Sequence, residues 1–267
     1  SKVGFDILYT ANNHSLDRGE IGLKKTNEKI IKNKMIPIGS YEKGEDTISI
    51  FEKNGIKFSL LAYTYGTNGF KLKDNSEYSL NYIDTAKIKK DIAIARSKKA
   101  EICIVYFHFG EEYLRKPSAF QTEIVRKSIS YGADIILASH PHVIQQIEFF
   151  KSESSNLDSG FVAYSLGNFY SNQKWRYSDA GIILNFELSK DLLSKKISLS
   201  KINYIPTWVH KYSSANKKEF VILPSNFRKY KYSDSIIISK SDSLLIEQSY
   251  LDTKNLIEKV EEFSNYE

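Results

Sequence analysis

The sequence has little cysteine and no long apolar run, and each lack excludes a class of protein. Its one cysteine, Cys103, lies inside an apolar run, so neither a disulfide framework nor a thiolate metal cluster is available. No stretch approaches the roughly 20 uninterrupted apolar residues that a membrane span requires. The longest apolar runs, such as 102–107 and 133–138, have the length of strands. With 41% hydrophobic residues, the chain can still bury one large core.

The charges of the chain are unbalanced but dispersed. The 38 Lys and Arg residues exceed the 32 Asp and Glu residues, giving a formal net charge of +6. A positive chain favours polyanionic partners. The lysines form no block typical of a nucleic-acid-binding arm, so we expect no nucleic-acid partner. Either the basic surface holds an anionic polymer, or it is only a solvated lysine-rich surface.

Strand and helix patterns alternate in the first half of the chain, and strands dominate after residue 143. Helices are predicted over 19–34, 84–99 with Asp84 as cap, 118–131 with Ser118 and Gln121 as a capping box, and 252–264. Strands are predicted at 5–10, on both sides of Asn54-Gly55, at 102–107, 134–138, 143–149, 161–166, 180–188 and 197–205. The change of pattern after residue 143 indicates a second sheet. We therefore predict an α/β fold of two packed sheets flanked by helices, α-β-β-α, over residues 1–205. Residues 206–267 are predicted to form a C-terminal extension, whose structure the patterns do not specify.

Four of the five histidines follow predicted strands directly. The strand at 5–10 leads to Asn13 and His14, the strand at 102–107 leads to His108, and the strand at 134–138 leads to His140-Pro-His142. Carboxyl ends of neighbouring strands line one crevice in α/β sheets. Imidazole nitrogens are common ligands of divalent metals. These side chains are therefore expected to converge on a metal site, whereas His210 follows no such strand and is interpreted as a partly exposed polar residue.

Four sequence blocks resemble one known family. They are Ala11-Asn-Asn-His-Ser-Leu-Asp-Arg-Gly19, His108-Phe-Gly-Glu-Glu-Tyr113, Gly132-Ala-Asp134 running to Ser139-His-Pro-His-Val143, and Tyr164-Ser-Leu-Gly-Asn-Phe169. Their order and spacing resemble CapA proteins, associated with poly-γ-glutamate capsule synthesis, over roughly residues 3–188. That family is similar to the calcineurin-like metallophosphoesterases, which have a two-sheet β-sandwich with flanking helices and a two-metal centre.

The resemblance implies a role for each candidate residue. Asn13 would be both a catalytic residue and a metal ligand, and His14 would protonate a leaving oxygen. His108 and His140 would bind one metal ion and His142 the other. Outside the ligands, the resemblance implies orienting roles for Glu111 and Glu112. Asp17 is either a further family residue of this outer shell or the N-cap of the first helix.

One departure from the family pattern affects the expected metal content. The superfamily supplies its first aspartates, including the one that bridges the metals, from strands that precede the Asn-Asn-His block. No Gly-Asp motif occurs in this sequence, so we expect that the N-terminal strands are missing. Two divalent ions (Mn, Fe, Zn or Mg) are then expected in the full-length protein, and at most one weakly held ion in this chain.

Two functions follow from the resemblance. The first is a metal-dependent hydrolase-like domain that acts on a phosphoester or related bond in capsule or surface-polymer biosynthesis. The alternative is a non-catalytic binding or export component for an anionic polymer, with a degenerate metal site. A purely structural member of a surface assembly is a weaker third interpretation. Expected partners are an anionic polymer or phosphoester substrate and other capsule-biosynthesis membrane proteins, at the extracellular face of the bacterial envelope, anchored by a segment absent here.

Overall fold

A computed structural model describes residues 4–151, 157–173, 175–214 and 217–263. The helices are α1 (Gly19–Lys32), α2 (Thr85–Ser97), α3 (Ala119–Ser130) and α4 (Lys240–Lys254). The strands are β1 (Ile7–Tyr9), β2 (Ile36–Ile38), β3 (Ser40–Glu42), β4 (Ile50–Lys53), β5 (Ile56–Thr64), β6 (Tyr78–Leu80), β7 (Ile102–His108), β8 (Ile135–Ser139), β9 (Ile147–Phe150), β10 (Gly160–Ala163), β11 (Ala180–Lys190), β12 (Ile197–Ser214), β13 (Lys217–Pro224) and β14 (Glu261–Glu262).

The larger sheet has six strands in the order β4-β5-β7-β8-β10-β9. Its four inner strands are parallel, and the edge strands β4 and β9 are antiparallel to their neighbours. Alternate residues of β7 enter different hydrophobic clusters, with Ile102 and Ile104 in one and Cys103 and Val105 in the other. Burial on both faces is why this strand is a continuous apolar run.

Helices α2 and α3 cover one face of the larger sheet. Ile88 and Ile92 of α2 share a hydrophobic cluster with Val105 of β7. The predicted caps are confirmed: the Asp84 side chain accepts from two backbone amides of α2, and Ser118 and Gln121 form a reciprocal capping box at α3. None of the helices in the described residues combines the length and apolar character needed to cross a membrane.

The smaller sheet packs on the opposite face. It contains the antiparallel strands β11, β12 and β13, with β14 parallel to β12. Ile182 and Tyr204 from this sheet share one hydrophobic cluster with Ile104 and Phe161 of the larger sheet. The two sheets therefore enclose a common core, which confirms the predicted α/β arrangement of packed sheets with helices outside.

Two predictions about individual elements are wrong. The strands expected at 143–149 and 161–166 correspond to β9 and β10, which belong to the larger sheet; β10 pairs with β8 and is buried throughout. The predicted helix over 252–264 is not formed, and its last residue lies outside the described part of the chain. Helix α4 ends at Lys254, and the spacing of Leu256 and Val260 instead reflects burial of an irregular segment against the core.

The division between 1–205 and 206–267 remains a prediction. Strand β12 (Ile197–Ser214) runs through this boundary, and β13 extends the same sheet. Helix α4 begins at a capping box made by Ser239 and Asp242. It packs against β12, where Ile246 joins Trp208 in a small hydrophobic cluster.

The chain following β1 is held close to the larger sheet. Strand β1 pairs with β2 in parallel. Ala11, just after β1, lies against Gly39, whose φ is +109°; a Cβ at Gly39 would lie 2.7 Å from the Cβ of Ala11 and 3.2 Å from that of Ala62. This close approach places the Asn13-His14 turn at the edge of the larger sheet.

Candidate metal centre

Three parallel strands of the larger sheet end side by side at the candidate site. Thr64 of β5 is in register with His108 of β7, and His108 is in register with Ser139 of β8. Tyr65 directly follows β5, and His140 directly follows β8. Their positions derive from parallel pairing, which brings the carboxyl ends of strands to one edge.

The predicted ligands Asn13, His108, His140 and His142 lie together at this edge. The ring centres of His108 and His140 are 4.9 Å apart, and those of His140 and His142 are 6.1 Å apart. The Oδ1 atom of Asn13 lies 2.9 Å from Nε2 of His108. The expected convergence is therefore present in the structure, while the individual roles of these residues remain predictions.

Asn68 sets the orientation of the Asn13 amide. The Asn13 Nδ2 group donates to Oδ1 of Asn68 at 3.2 Å, so Oδ1 of Asn13 faces His108. Two ligand atoms that share one ion lie about 3 Å apart when each is about 2.1 Å from it. The 2.9 Å separation in the Asn13–His108 pair is compatible with such sharing.

Burial keeps the central histidines neutral. Desolvation, with smaller contributions from the neighbouring histidines, lowers the pKa of His108 from 6.5 to about 3. The pKa of His140 is also lowered, first by desolvation, with Glu112 opposing the shift. Neutral imidazole is the form that binds a metal ion.

Asn168 fixes the tautomer of His142. Its Nδ2 group donates to Gln173 and to the carbonyl of Ser178, so its Oδ1 faces His142 Nδ1 at 3.0 Å and accepts a hydrogen from it. In the neutral ring, Nε2 is then the unprotonated nitrogen. That atom lies 3.9 Å from Oε1 of Glu112, whereas Glu111 forms no ion pair with a histidine in the part of the chain that the structure describes.

The backbone at the site is strained. His140, His142 and Tyr113 have φ angles of 111°, 60° and 65°, in the region that residues with a Cβ rarely occupy. The Tyr113 amide donates to the Pro141 carbonyl at 2.7 Å, and the Tyr113 ring stacks on His142 at 5.8 Å. Backbone strain of this kind persists when surrounding contacts enforce it and is concentrated at functional sites.

His14 lies beside this cluster with an acidic partner. Its Nδ1 atom is 2.8 Å from Oδ2 of Asp17. Helix α1 has Arg18 at its N-cap position, without a side-chain cap, so Asp17 is not the helix cap. The carboxylate instead holds the imidazole with Nδ1 protonated and leaves Nε2 for chemistry.

The donor set suits a metal ion only in part. Asn13, His108 and His140 provide neutral oxygen and nitrogen donors, and His142 with Glu112 provides a nitrogen and a carboxylate. Within the described residues, no three His, Cys, Asp or Glu side chains already surround one point as ligands of an ion. These donors are therefore suited to weak binding of a metal ion. Among the described residues, no carboxylate lies between the two groups of donors to bridge two ions.

Comparison with known proteins identifies the family. A sequence profile described as "Bacterial capsule synthesis protein PGA_cap" matches residues 1–173. This chain belongs to that family. The PGA_cap match includes Asn13, His14, His108, His140 and His142, and therefore the whole histidine cluster.

Two relatives of this PGA_cap chain are CapA proteins. It is 29% identical over 192 residues to the capsule biosynthesis protein CapA of Bacillus anthracis, which covers 70% of this chain and 45% of that protein. It is 31% identical over 194 residues to the PGA biosynthesis protein CapA of Bacillus subtilis strain 168, with coverage of 71% and 48%. The chain therefore spans about half the length of the curated relatives it matches.

The fold of this PGA_cap chain is similar to that of a solved structure. A putative 5'-nucleotidase from Staphylococcus aureus aligns with a TM-score of 0.50 at 14% identity, covering 93% of this chain and 42% of that one. At this identity the likeness concerns the fold alone. Together with the two packed sheets, it confirms the predicted metallophosphoesterase-type fold.

Sequence patterns missed several residues of the site in this PGA_cap chain. Asn68 lies in the segment 66–82, which has no strand or helix pattern before β6, and Asn168 was part of a resembling block without an assigned role. Tyr65 directly follows β5, and its ring lies 4.6 Å from that of His140. Its position after a buried parallel strand is the same signal that identified His108.

Proposed function

We propose that this chain carries the histidine-rich part of a metal-dependent phosphoester-hydrolysing site in capsule biosynthesis, with poly-γ-glutamate as the polymer that the pathway serves. The observation that carries the proposal is the tautomer and charge state of the cluster. His108 and His140 are kept neutral by burial, and Asn168 accepts from Nδ1 of His142, so Nε2 is the unprotonated nitrogen of that ring in its neutral form. Three imidazoles that meet at one sheet edge support metal binding more than a structural role, although Nε2–H of His108 donates to Oδ1 of Asn13 and would have to move its proton to Nδ1 before Nε2 could bind an ion.

Each candidate residue has a proposed task. Asn13, His108 and His140 would hold one divalent ion, and His142 with Glu112 would offer donors to a second. A bound divalent cation supplies charge stabilisation for a phosphoryl group and a more acidic water. Mn, Fe, Zn and Mg are the candidate ions.

His14 is proposed as the general acid. Its Nδ1–H donates to Asp17, which keeps Nε2 directed away from the carboxylate. A protonated His14 can give its Nε2 proton to a leaving oxygen, and Asp17 stabilises the positive charge of that form. The exposed position of the pair allows the proton to be regained from solvent.

The expected setting follows from the family. We propose an anionic polymer or phosphoester as substrate and capsule-biosynthesis membrane proteins as partners. The proposed location is the extracellular face of the bacterial envelope. The net charge of +6 supports an anionic ligand.

The test combines metal titration with hydrolysis. Calorimetric titration of the chain with Zn²⁺, Mn²⁺, Fe²⁺ and Mg²⁺ should detect binding that His140→Ala weakens by at least roughly 10–100-fold, the range known for changes outside the first ligand shell. His14→Ala should keep the metal affinity and lose hydrolysis of glycerol 3-phosphate, because an alkoxide leaving group depends on protonation by the general acid. The absence of binding by every ion, or an unchanged affinity in His140→Ala, would refute the proposal.

A second function is favoured by one observation. The described residues contain no preformed group of three metal-binding side chains, which suits a non-catalytic component that binds or exports an anionic polymer. In that case the chain would bind poly-γ-glutamate without hydrolysing a phosphoester. Such binding should weaken steeply between about 0.05 and 0.5 M salt, because exposed lysines act through screened attraction.

A further inference from the structure

An open cavity adjoins the histidine cluster. It has a volume of about 490 Å³ and is lined by Tyr65, Thr67, Phe70, Lys71, Leu72 and Tyr82. Tyr65 belongs to both features, because its ring lines the cavity and lies 4.6 Å from that of His140. The cavity is therefore directly adjacent to His140, one of the proposed metal ligands.

The walls of this cavity are aromatic and exposed. Tyr65, Phe70 and Tyr82 have 43%, 52% and 37% of their surface accessible to solvent. Apolar cavities with a few placed polar groups are the usual form of small-molecule sites. Aromatic side chains lining a cavity offer flat faces on which a ring of a ligand can stack.

Hydrogen bonds hold the cavity in shape. The buried Thr67 hydroxyl donates to the Phe70 carbonyl, so it accepts from the Tyr82 hydroxyl at 3.0 Å. In the same loop Asn68 accepts from Asn13. One short segment thus positions both an aromatic wall and the amide that faces His108.

The charges of the cavity favour an anionic molecule. Lys71 is the charged residue on its wall, and no acidic side chain lines it within the described residues. The adjoining histidines are the proposed binding position of a phosphoryl group. A ligand that carries both a ring and a phosphoryl group can contact the aromatic cavity and the histidine cluster at the same time.

We propose that this cavity is the subsite for the ring of a ring-bearing phosphoester, either a sugar phosphate or a nucleotide. The inference rests on the proposed function and specifies its substrate class. The phosphoryl group lies at the histidine cluster, and the ring stacks among Tyr65, Phe70 and Tyr82. In hydrolysis, a water oxygen bonds to phosphorus as the bond between phosphorus and the ester oxygen breaks, and the ring-bearing group leaves as an alcohol with the proton from His14.

The test compares ligands that carry a ring, a phosphate or both. In the presence of Zn²⁺, ligand-observed NMR titrations would use glucose 1-phosphate and AMP (ring and phosphate), glycerol 3-phosphate (phosphate alone), and methyl glucoside and adenosine (ring alone). We expect at least one of the first pair to bind fivefold or more tightly than glycerol 3-phosphate, since stacking on aromatic side chains has effects of this size or larger. The preference between glucose 1-phosphate and AMP identifies the ring as sugar or nucleobase.

Variants locate the effect. Phe70→Ala and Tyr82→Ala should remove the preference for ring-bearing phosphoesters and leave glycerol 3-phosphate binding within twofold. Tyr82→Phe keeps the ring and should keep the preference. Phe149→Ala is the matched control, because this ring is 41% exposed on the edge strand β9, at the opposite edge of the sheet from β4 and β5.

The outcomes separate the subsite from the metal site. Equal binding of ring-bearing and ringless phosphoesters, or a preference that survives both alanine variants, overturns the subsite. If no phosphoester binds but adenosine or methyl glucoside binds and is lost in Phe70→Ala, the subsite stands and the proposed function fails.

Discussion

The two sheets contain histidines in contrasting surroundings. In the larger sheet, whose inner strands are parallel, the half-buried His108 and the buried His140 meet at neighbouring strand ends, next to side chains from other loops. In the antiparallel sheet, His210 is fully buried within β12 and stacks between Trp208 at 5.4 Å and Tyr212 at 5.3 Å. Its Nε2–H donates to the Ile237 carbonyl at 2.7 Å. The interpretation of His210 as a partly exposed residue is therefore wrong.

The contrast shows that the position of a histidine in its sheet determines which side chains surround it. Residues at i±2 share one face of a strand, so the neighbours of His210 come from its own strand and form a packed stack. Parallel strand ends instead bring together donors from distant parts of the sequence. An unpartnered nitrogen does not distinguish the two cases, since Nδ1 of both His140 and His210 lacks a hydrogen-bond partner in the described structure. The two sites differ instead in that several donors converge around His140.

The strongest test of this contrast is removal of the His210 ring. His210→Ala deletes two ring stacks and a buried hydrogen bond, so the free energy of unfolding should fall by about 2–4 kcal/mol. Urea denaturation measures this loss. Zinc affinity should stay within twofold of the unaltered chain, whereas His140→Ala is expected to weaken it. A large loss of zinc affinity would mean that the two histidine environments are coupled.

Acid should destabilise the parallel-sheet site. The unfolded chain protonates His108 near pH 6.5, whereas the folded chain does so only near pH 3. Between these values the unfolded state binds more protons, so the free energy of unfolding falls as pH falls, by up to about 1.4 kcal/mol per pH unit. Above pH 6.5 this contribution to stability is fully present.

Denaturation with urea at pH 7, 6, 5 and 4, in the presence of a chelator, measures this slope. His108→Gln should have a shallower dependence on pH than the unaltered chain, with His140 still contributing. Parallel pH profiles for the two proteins would contradict the buried, neutral state of His108.

Local signals predicted much of the fold, and non-local pairing explains the errors. Asp84, Ser118 and Gln121 cap helices as expected, and Asn54-Gly55 joins β4 to β5. These features depend on residues a few positions apart. Strand β10 belongs to the larger sheet because Phe161 pairs with Ile135 of β8, and β9 belongs to it because Phe149 pairs with Phe161. No local pattern encodes these pairings.

The same distinction applies to the site. Strands that run directly into histidine predicted the meeting of His108, His140 and His142. The roles of Asn68 and Asn168 could not be predicted, because they depend on hydrogen bonds between residues far apart in the sequence. Asn68 fixes the orientation of the Asn13 amide, 55 residues away. Asn168 fixes the tautomer of His142.

The smallest expected effect separates the adjacent glutamates. With Nδ1 of His142 donating to Asn168, the lone pair of Nε2 and the Glu112 carboxylate face each other across 3.9 Å. Two acceptors in this position repel unless a proton or a cation lies between them. Two atoms that each lie about 2.1 Å from one ion can be at most about 4.2 Å apart, so a divalent ion can contact both atoms, at a wider angle than in the Asn13–His108 pair. Glu112 would then be a ligand rather than an outer orienting residue.

Glu112→Gln keeps the size of the side chain and removes its charge. Calorimetric titration with Zn²⁺ should give an affinity roughly tenfold or more below that of the unaltered chain. Glu111→Gln is the matched control and should change the affinity by less than twofold, because it removes the same charge one residue away without a histidine partner. Equal losses in both variants would show that only the local negative potential matters. A loss confined to Glu112 would mean that the parallel-sheet site contains a carboxylate donor, which the antiparallel surroundings of His210 lack in the described structure.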